Sequence, residues 1–229
     1  MRMFAGPVYR LMVGIDIENS TGRPNPVKGE LRHYLYLLLD EALRLTGITA
    51  GHLEPFIDRG DGALVLIRPH DDVPKTLILG RLLPVLTALL NTYNQAMSEQ
   101  PDHCLRLRAV VHAGEVHGDG RGFYGDDIDV ACRLLDSPRL RQTLREADES
   151  PLVLAVSEEI FAGIIQQGYL DPGAYQPLGQ IRVGKRYRRG WAHVQAPAEL
   201  DEQAIMAWLR NQAPPSAMAI VSASDHLAG

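Results

Sequence analysis

The spacing of apolar and polar residues changes several times along the chain, and each change marks an element. Val8 to Ile17 is an apolar run, closing on Val13-Gly14-Ile15-Asp16-Ile17, that predicts a buried strand. Ser20-Thr21-Gly22-Arg23-Pro24-Asn25-Pro26 then predicts a loop that cannot continue it. From about Lys28 to Leu45 the residues Leu31, Leu35, Leu38, Leu39 and Ala42 recur at threes and fours, one face of a helix, and Thr46-Gly47 supplies the stop. Pro55 to Asp58 and Ala63 to Ile67 flank the turn Arg59-Gly60-Asp61-Gly62, a β-hairpin with an acid at its tip.

Pro74 to roughly Met97 reads as a long amphipathic helix with Pro84 as a kink or a break between two helices. Cys104 to Val116 predicts a strand entering the core, and Gly118 to Gly122 a loop of Gly and Asp. Asp126 to Leu135 carries a helical face of Ile128, Ala131, Cys132 and Leu135, ended by Ser137-Pro138. Leu152 to Val156 is a short strand, Ser157-Glu158-Glu159-Ile160 opens a helix with a capping signature, and Gly168 closes it. Gln180 to Val183 and Trp191 to Val194 form a closing hairpin with Lys185, Arg186, Arg188 and Arg189 between its strands. An amphipathic helix from Leu200 to Leu209 precedes a tail rich in Ala, Ser and Pro, which predicts a flexible end. Strands alternate with helices throughout without an internal repeat, the pattern of an α/β sandwich.

Composition narrows this to one domain. The chain has 229 residues, 45% of them hydrophobic, enough for one substantial core. A formal net charge of -5 argues against nucleic acid or an anionic membrane as a general partner. Cys104 and Cys132 lie in apolar segments without metal-ligand spacing, as buried reduced thiols do. With no apolar leader in Met1 to Leu11 and no continuous apolar run of about 20 residues, the expectation is a cytoplasmic protein.

The candidate chemistry starts with Asp16 and Asp61. Two carboxylates at strand ends, with the Ile17 carbonyl beside them, are the minimum a divalent metal needs when substrate phosphates complete its shell. Taken alone, the two acids are more simply explained as a turn cap and a hairpin-tip residue. The rest of the chain decides between these readings. Leu107-Arg108-Ala109-Val110-Val111-His112-Ala113-Gly114-Glu115-Val116 is followed by Phe123-Tyr124-Gly125 and then by Asp129 and Arg133 four residues apart. In that order, and together with Asp16 and Asp61, these segments resemble the class III nucleotidyl cyclases. In that family an Arg-x-Gly-Ile-His-x-Gly-x-Val strand leads to Tyr-Gly-x-x-Val-Asn-x-Ala-x-Arg-Leu. The resemblance runs from about Val13 to Val194.

The resemblance implies a ferredoxin-like α/β fold, a central mostly antiparallel sheet with helices packed on it. The catalytic domain would span residues 1–198, a C-terminal amphipathic helix 199–211 and a tail 212–229. It further implies a homodimer with active sites at its interface, two Mg²⁺ or Mn²⁺ ions per site, and conversion of a nucleoside triphosphate to a 3',5'-cyclic nucleotide and pyrophosphate. Asp16, Ile17 and Asp61 match the metal positions, and Glu18, Asn19, Ser20 and Thr21 match the loop under the triphosphate. Arg133 matches the arginine that neutralises charge on the transferred phosphoryl group. Arg108 is a candidate for a further phosphate contact, Lys185 resembles a late lysine on the β- or γ-phosphate and reads as well as a solvated hairpin tip, and Tyr124 is the aromatic of the Tyr-Gly motif. His112, mid-strand, reads better as a hydrogen-bonded core histidine than as a general base.

Departures from the pattern are as informative. The family's ribose-contacting asparagine is Asp129 here, an acceptor-only carboxylate near a polyphosphate. The two base-reading positions fall on Ile57 and Gly122, so the usual purine contacts are missing. The pattern then resembles the pyrimidine cyclases of the Pycsar anti-phage system, with cyclic UMP favoured over cyclic CMP and a downstream cyclic-nucleotide-binding effector as partner. Three other readings stay open: a purine cyclase acting on ATP or GTP, a cyclase-homology domain that senses a nucleotide or docks a partner without turnover, and an interaction scaffold using the final helix.

Overall fold

Alternate side chains of β1 (Val8–Ile17) go to opposite faces of a sheet: Leu11, Val13, Ile15 and Ile17 enter the larger of two apolar cores, and Met12 the smaller one behind it. The computed structural model describes residues 6–147 and 150–212. The other strands are β2 (Ile57–Asp58), β3 (Gly62–Ile67), β4 (Leu107–Gly118), β5 (Phe123–Tyr124), β6 (Leu152–Ser157), β7 (Gln176–Val183) and β8 (Arg186–Val194). They form an 8-stranded sheet in the order β2-β3-β1-β4-β6-β8-β7, with β5 paired to the end of β4. β4 and β6 run parallel and every other pairing is antiparallel. The expected α/β sheet with helices packed on it is what forms.

Helices cover both faces. The larger core is closed by α1 (Asn25–Leu45), by the rod made of α2 (Lys75–Leu77), a π turn Ile78–Leu82 and α3 (Leu83–Ala96), and by residues after β6. The smaller core is closed by α4 (Asp126–Leu135) and α5 (Pro138–Glu146), through Val130, Ala131, Leu134, Leu135, Leu140 and Leu144. After β6, α6 (Glu158–Ile160) runs into a π segment, Phe161–Tyr169, where Gly168 takes φ 87° and ends the helix as its position suggested. The last helix, α7 (Glu202–Gln212), buries Ile205 and Leu209 in the larger core.

Several elements differ from the sequence expectation for identifiable reasons. α1 begins at Asn25 rather than Lys28, because Pro26 falls in the first turn, where its missing N–H leaves no bond unmade. Pro84 does not break its helix, and the irregularity expected there takes the form of a π turn. Pro84 has no N–H to offer the Gly80 carbonyl, and the wider π turn just before it lets the rod continue from Lys75 to Ala96. That rod has the length and mean hydropathy (1.3) of a membrane span, yet 67% of the window is buried, so it is a core helix.

Ser137-Pro138 ends α4 as expected and also starts α5, which the sequence reading did not anticipate: Ser137 Oγ accepts the Leu140 N–H at 3.2 Å and Pro138 takes the first helical position. The basic cluster is not a loop. Only Gly184 and Lys185 make the hairpin turn, and Arg186, Arg188 and Arg189 lie in β8. Cys104 and Cys132 are free and half-buried. The tail expected to be flexible lies outside the described residues, apart from Gln212, which ends α7.

The tightest backbone approach is where β3 leaves the hairpin turn. Gly62 faces Asp16 across the β1–β3 ladder, and a Cβ on it would run into the Ile15 carbonyl oxygen, which is backbone and cannot step aside. Gly62→Ala is therefore expected to cost about 2–3 kcal/mol, the range of overpacked sites. Gly29→Ala in α1, where a Cβ meets nothing within 4 Å, is expected to be neutral or stabilising. Urea unfolding of both variants checks the contrast.

Candidate active site

Asp16 is the penultimate residue of β1, on the face of Met12 and Gly14, where the smaller core runs out. Its ladder neighbours are Gly62 on one side and Arg108 on the other. Arg108 Nε–H and Nη2–H donate to Asp16 Oδ1 and Oδ2 at 2.8 and 2.9 Å, a bidentate pair. Burial pushes the Asp16 carboxyl above its ordinary value; Arg108 pulls against this, and the nearby Asp61 and Asp136 carboxylates push it further up.

Asp61 sits at the hairpin tip beside this pair. The turn is tied twice: the Asp61 carbonyl accepts the Ile17 N–H at 3.0 Å, and Gly60 takes φ 82°, a left-handed conformation a Cβ would oppose. Asp58, just before the tip, accepts from Arg32 of α1 at 2.9 and 2.8 Å and from the Gly60 N–H at 2.8 Å. These two contacts, the Arg32 guanidinium foremost, hold the Asp58 carboxyl down at about 2, so the turn stays pinned to α1 across the neutral range.

Asp16 and Asp61 open on one cavity of about 500 Å³. Ile17, Asn19, Ser20, Thr21 and Gly22 form one wall, with Asn19 in the left-handed region at φ 54° to start the short 3-10 turn Ser20–Gly22. Arg108, paired to Asp16, also lines the cavity. Four lining residues were not anticipated: Gly22, Arg59, Asp136 and Arg141. Arg59 leans from the hairpin onto α4 and donates to Cys132 Sγ at 2.6 Å; Arg141, on the unanticipated α5, reaches Asp136 at 3.4 Å. A mostly apolar hollow of about 560 Å³ near Leu43, Ile48, Leu53 and Phe56 gathers no comparable chemistry, since Glu54 on its rim is held by Arg10 and Arg68.

The remaining expected residues lie away from this cavity. Glu18 is buried and turns toward Arg106, 3.5 Å away. Asp129 and Arg133 sit on the exposed side of α4, and Lys185 is exposed at the β7–β8 turn. Tyr124 is half-exposed and stacks on His117. Ile57 packs against the smaller core, and Gly122 is in the exposed loop before β5, with nothing within 4 Å of the place a Cβ would occupy. One chain thus brings together Asp16, Ile17, Asn19, Ser20, Thr21, Asp61 and Arg108, and keeps Arg133, Asp129, Tyr124, Gly122, Ile57 and Lys185 outside.

The helix carrying Asp129 and Arg133 is anchored by a third acid. Asp127 Oδ2 accepts the Glu115 N–H at 2.7 Å, and its Oδ1 lies 3.3 Å from His112 Nε2. The anchor passes through the space left by Gly114, where a Cβ would overlap the Asp127 carboxylate. His112 is the buried histidine its mid-strand position suggested. Its Nδ1 has no hydrogen-bond partner among the described residues, with Glu159 nearest at 3.6 Å.

The donor set suits Mg²⁺ or Mn²⁺. The lining carboxylates, Asp16, Asp61 and Asp136, are hard oxygen donors, and neither cysteine nor histidine lines the cavity. Among the described residues no group of three or more His, Cys, Asp and Glu is close enough to hold a metal unaided, so the shell needs oxygens from a substrate.

No known family profile matches the sequence, and no curated protein matches it. Solved structures do. An adenylate/guanylate cyclase/hydrolase from Silicibacter pomeroyi superposes with a TM-score of 0.54 at 19% identity, over 82% of this chain and 98% of the other. The adenylyl cyclase CyaB from P. aeruginosa superposes with a TM-score of 0.55 at 16% identity, over 86% of this chain and 100% of the other. The chain has the fold of these cyclases.

The buried histidine gives the site's surroundings a pH signature. Burial lowers the His112 pKa below its ordinary 6.5, against the pull of Glu159 and Asp127 and with a small push from Arg188. The unfolded chain then binds the proton more readily, so stability is full above about pH 6.5 and falls as pH drops toward the lower folded value. Thermal melts between pH 7.5 and 5.5 are expected to show this loss for the unmodified protein and a flatter profile for His112→Gln.

Proposed function

We propose that the chain is a nucleotidyl cyclase acting as a homodimer, converting a nucleoside triphosphate to a 3',5'-cyclic nucleotide and pyrophosphate. The observation that carries this reading is the convergence of Asp16, Asp61 and Arg108 on one polar cavity in a sheet with the cyclase fold. Two divalent cations bound at the acids would lower the pKa of the ribose 3'-hydroxyl and offset triphosphate charge. The protein's own contribution is position and charge. Asp16 is fixed by the β1 register, and Asp61 by a turn fastened to α1. Arg108, Arg59 and Arg141 offer guanidinium groups to a polyphosphate whose α-phosphorus lies in line with the attacking 3'-oxygen.

Arg133 is outside its own chain's cavity and exposed on α4, which fits a residue that serves the site of a second copy. There it would offset charge growing on the transferred phosphoryl group. Asp129, one turn before it on the same face, accepts from a ribose hydroxyl but cannot donate as an amide does.

For the base we favour a pyrimidine, uracil over cytosine, in the manner of the anti-phage cyclases that signal to a cyclic-nucleotide-binding effector. Ile57 turns into the smaller core and Gly122 has no side chain, so neither purine-reading position presents a polar group. A second reading, a nucleotide sensor without turnover, is favoured by Asp129. Calorimetric titration with a triphosphate beside a pyrophosphate-release assay separates the two, since binding without release identifies a sensor.

Mass spectrometry of products from all four nucleoside triphosphates with Mn²⁺ is expected to find cyclic UMP in excess; cyclic AMP or GMP alone would make this a purine cyclase. Asp16→Asn and Asp61→Asn are each expected to abolish product, and Arg133→Ala to lower kcat by about a hundredfold or more. Mixing inactive Asp16→Asn with Arg133→Ala is expected to restore roughly a quarter of the sites, because half the dimers then hold one site with every group intact. Full activity of either aspartate variant, or no recovery on mixing, would remove the metal or the dimer assignment respectively.

A further inference from the structure

Both oxygens of Asp16 are already engaged. Arg108 grips them at 2.8 and 2.9 Å from the facing position on β4, and the two side chains are only 12% and 11% exposed. The strand register holds the pair together, and little water screens it. A divalent cation bound to those same two oxygens would have to share them with the guanidinium, whose positive charge repels it. By contrast, Asp61 makes no ion pair among the described residues.

The charges of the cavity lead the same way. Its walls carry three carboxylates, Asp16, Asp61 and Asp136, and three guanidinium groups, Arg59, Arg108 and Arg141, so the cavity is neutral as it stands. Two divalent cations alone would leave it strongly positive. The same cations with a triphosphate of charge about -4 would leave it neutral again.

We propose that Arg108 is a tethered counterion for Asp16: it makes the free protein a poor ligand for divalent cations and releases Asp16 when a polyphosphate takes over its guanidinium. Metal and polyphosphate then bind with strong mutual dependence, and the free protein does not fill its acids with metal from the surroundings. The inference rests on the metal-site reading proposed above, and its test does not use turnover.

The probe is Mn²⁺, titrated into the full chain by calorimetry or by loss of the free-ion electron-spin resonance signal, with and without inorganic tripolyphosphate. Without polyphosphate, Arg108→Gln is expected to bind Mn²⁺ about tenfold more tightly than the unmodified protein, a gain that Asp16→Asn/Arg108→Gln loses. Tripolyphosphate is expected to tighten Mn²⁺ binding more for the unmodified protein than for Arg108→Gln. If Arg108→Gln leaves Mn²⁺ affinity unchanged while Asp16→Asn lowers it, Arg108 is no competitor and the metal reading survives. If no variant binds Mn²⁺ under either condition, both readings fall. Because Arg108→Gln leaves a shielded carboxylate unpaired and weakens the fold, melting temperature gives an independent readout: Mn²⁺ should raise it more for Arg108→Gln than for the unmodified protein, and an equal or smaller rise overturns the inference.

Discussion

The register of β1 between β3 and β4 is the constraint on which the rest depends. With Asp16 opposite Gly62 on one side and Arg108 on the other, the acid faces the smaller core's edge while Ile15 and Ile17 face the larger core. Slipping either ladder by one residue would send Asp16 among buried aliphatic side chains and bring Ile15 or Ile17 out. The cost of that exchange fixes where the carboxylate points. The hairpin turn, the Ser20–Gly22 wall and the α4–α5 corner then close around an acid already placed.

Much of this was legible because it is local. A carboxylate ending an apolar run and another in a Gly-flanked turn place themselves through strand and turn geometry, and Arg108 sits where the next long strand begins. What escaped the sequence reading depends on tertiary packing. α5 shows only two apolar residues, Leu140 and Leu144, too few for periodicity to reveal, so Arg141 had no predicted element to stand on. Arg59 joins the cavity wall by leaning across onto Cys132, seventy-three positions away, which no spacing rule anticipates. Four cations within Lys185 to Arg189 suggested a solvated hairpin tip, yet pairing with β7 makes a strand of Arg186 to Arg189.

The helix bearing Asp129 and Arg133 shows local and distant information meeting. Helical spacing pointed to Ile128, Ala131, Cys132 and Leu135 as its inner face, whereas packing buries Val130, Ala131, Leu134 and Leu135. Asp127 ties its first turn to the sheet through the gap at Gly114, at Glu115 and His112. A small residue on one element thus lets a polar side chain on another serve as a peg. The peg lies on the side of α4 facing away from Arg133, so the exposed residues stay unencumbered.

The inequality of the two cores has a mechanical meaning. Most of the buried apolar side chains lie on the α1, α3 and α7 side of the sheet, while the side carrying the acids is covered by two short helices and a modest cluster. Most of the cohesion and the cavity's carboxylates therefore occupy opposite faces of one sheet. Side chains around the acids can change with little loss of the burial that holds the chain together, because that burial lies mainly on the far face.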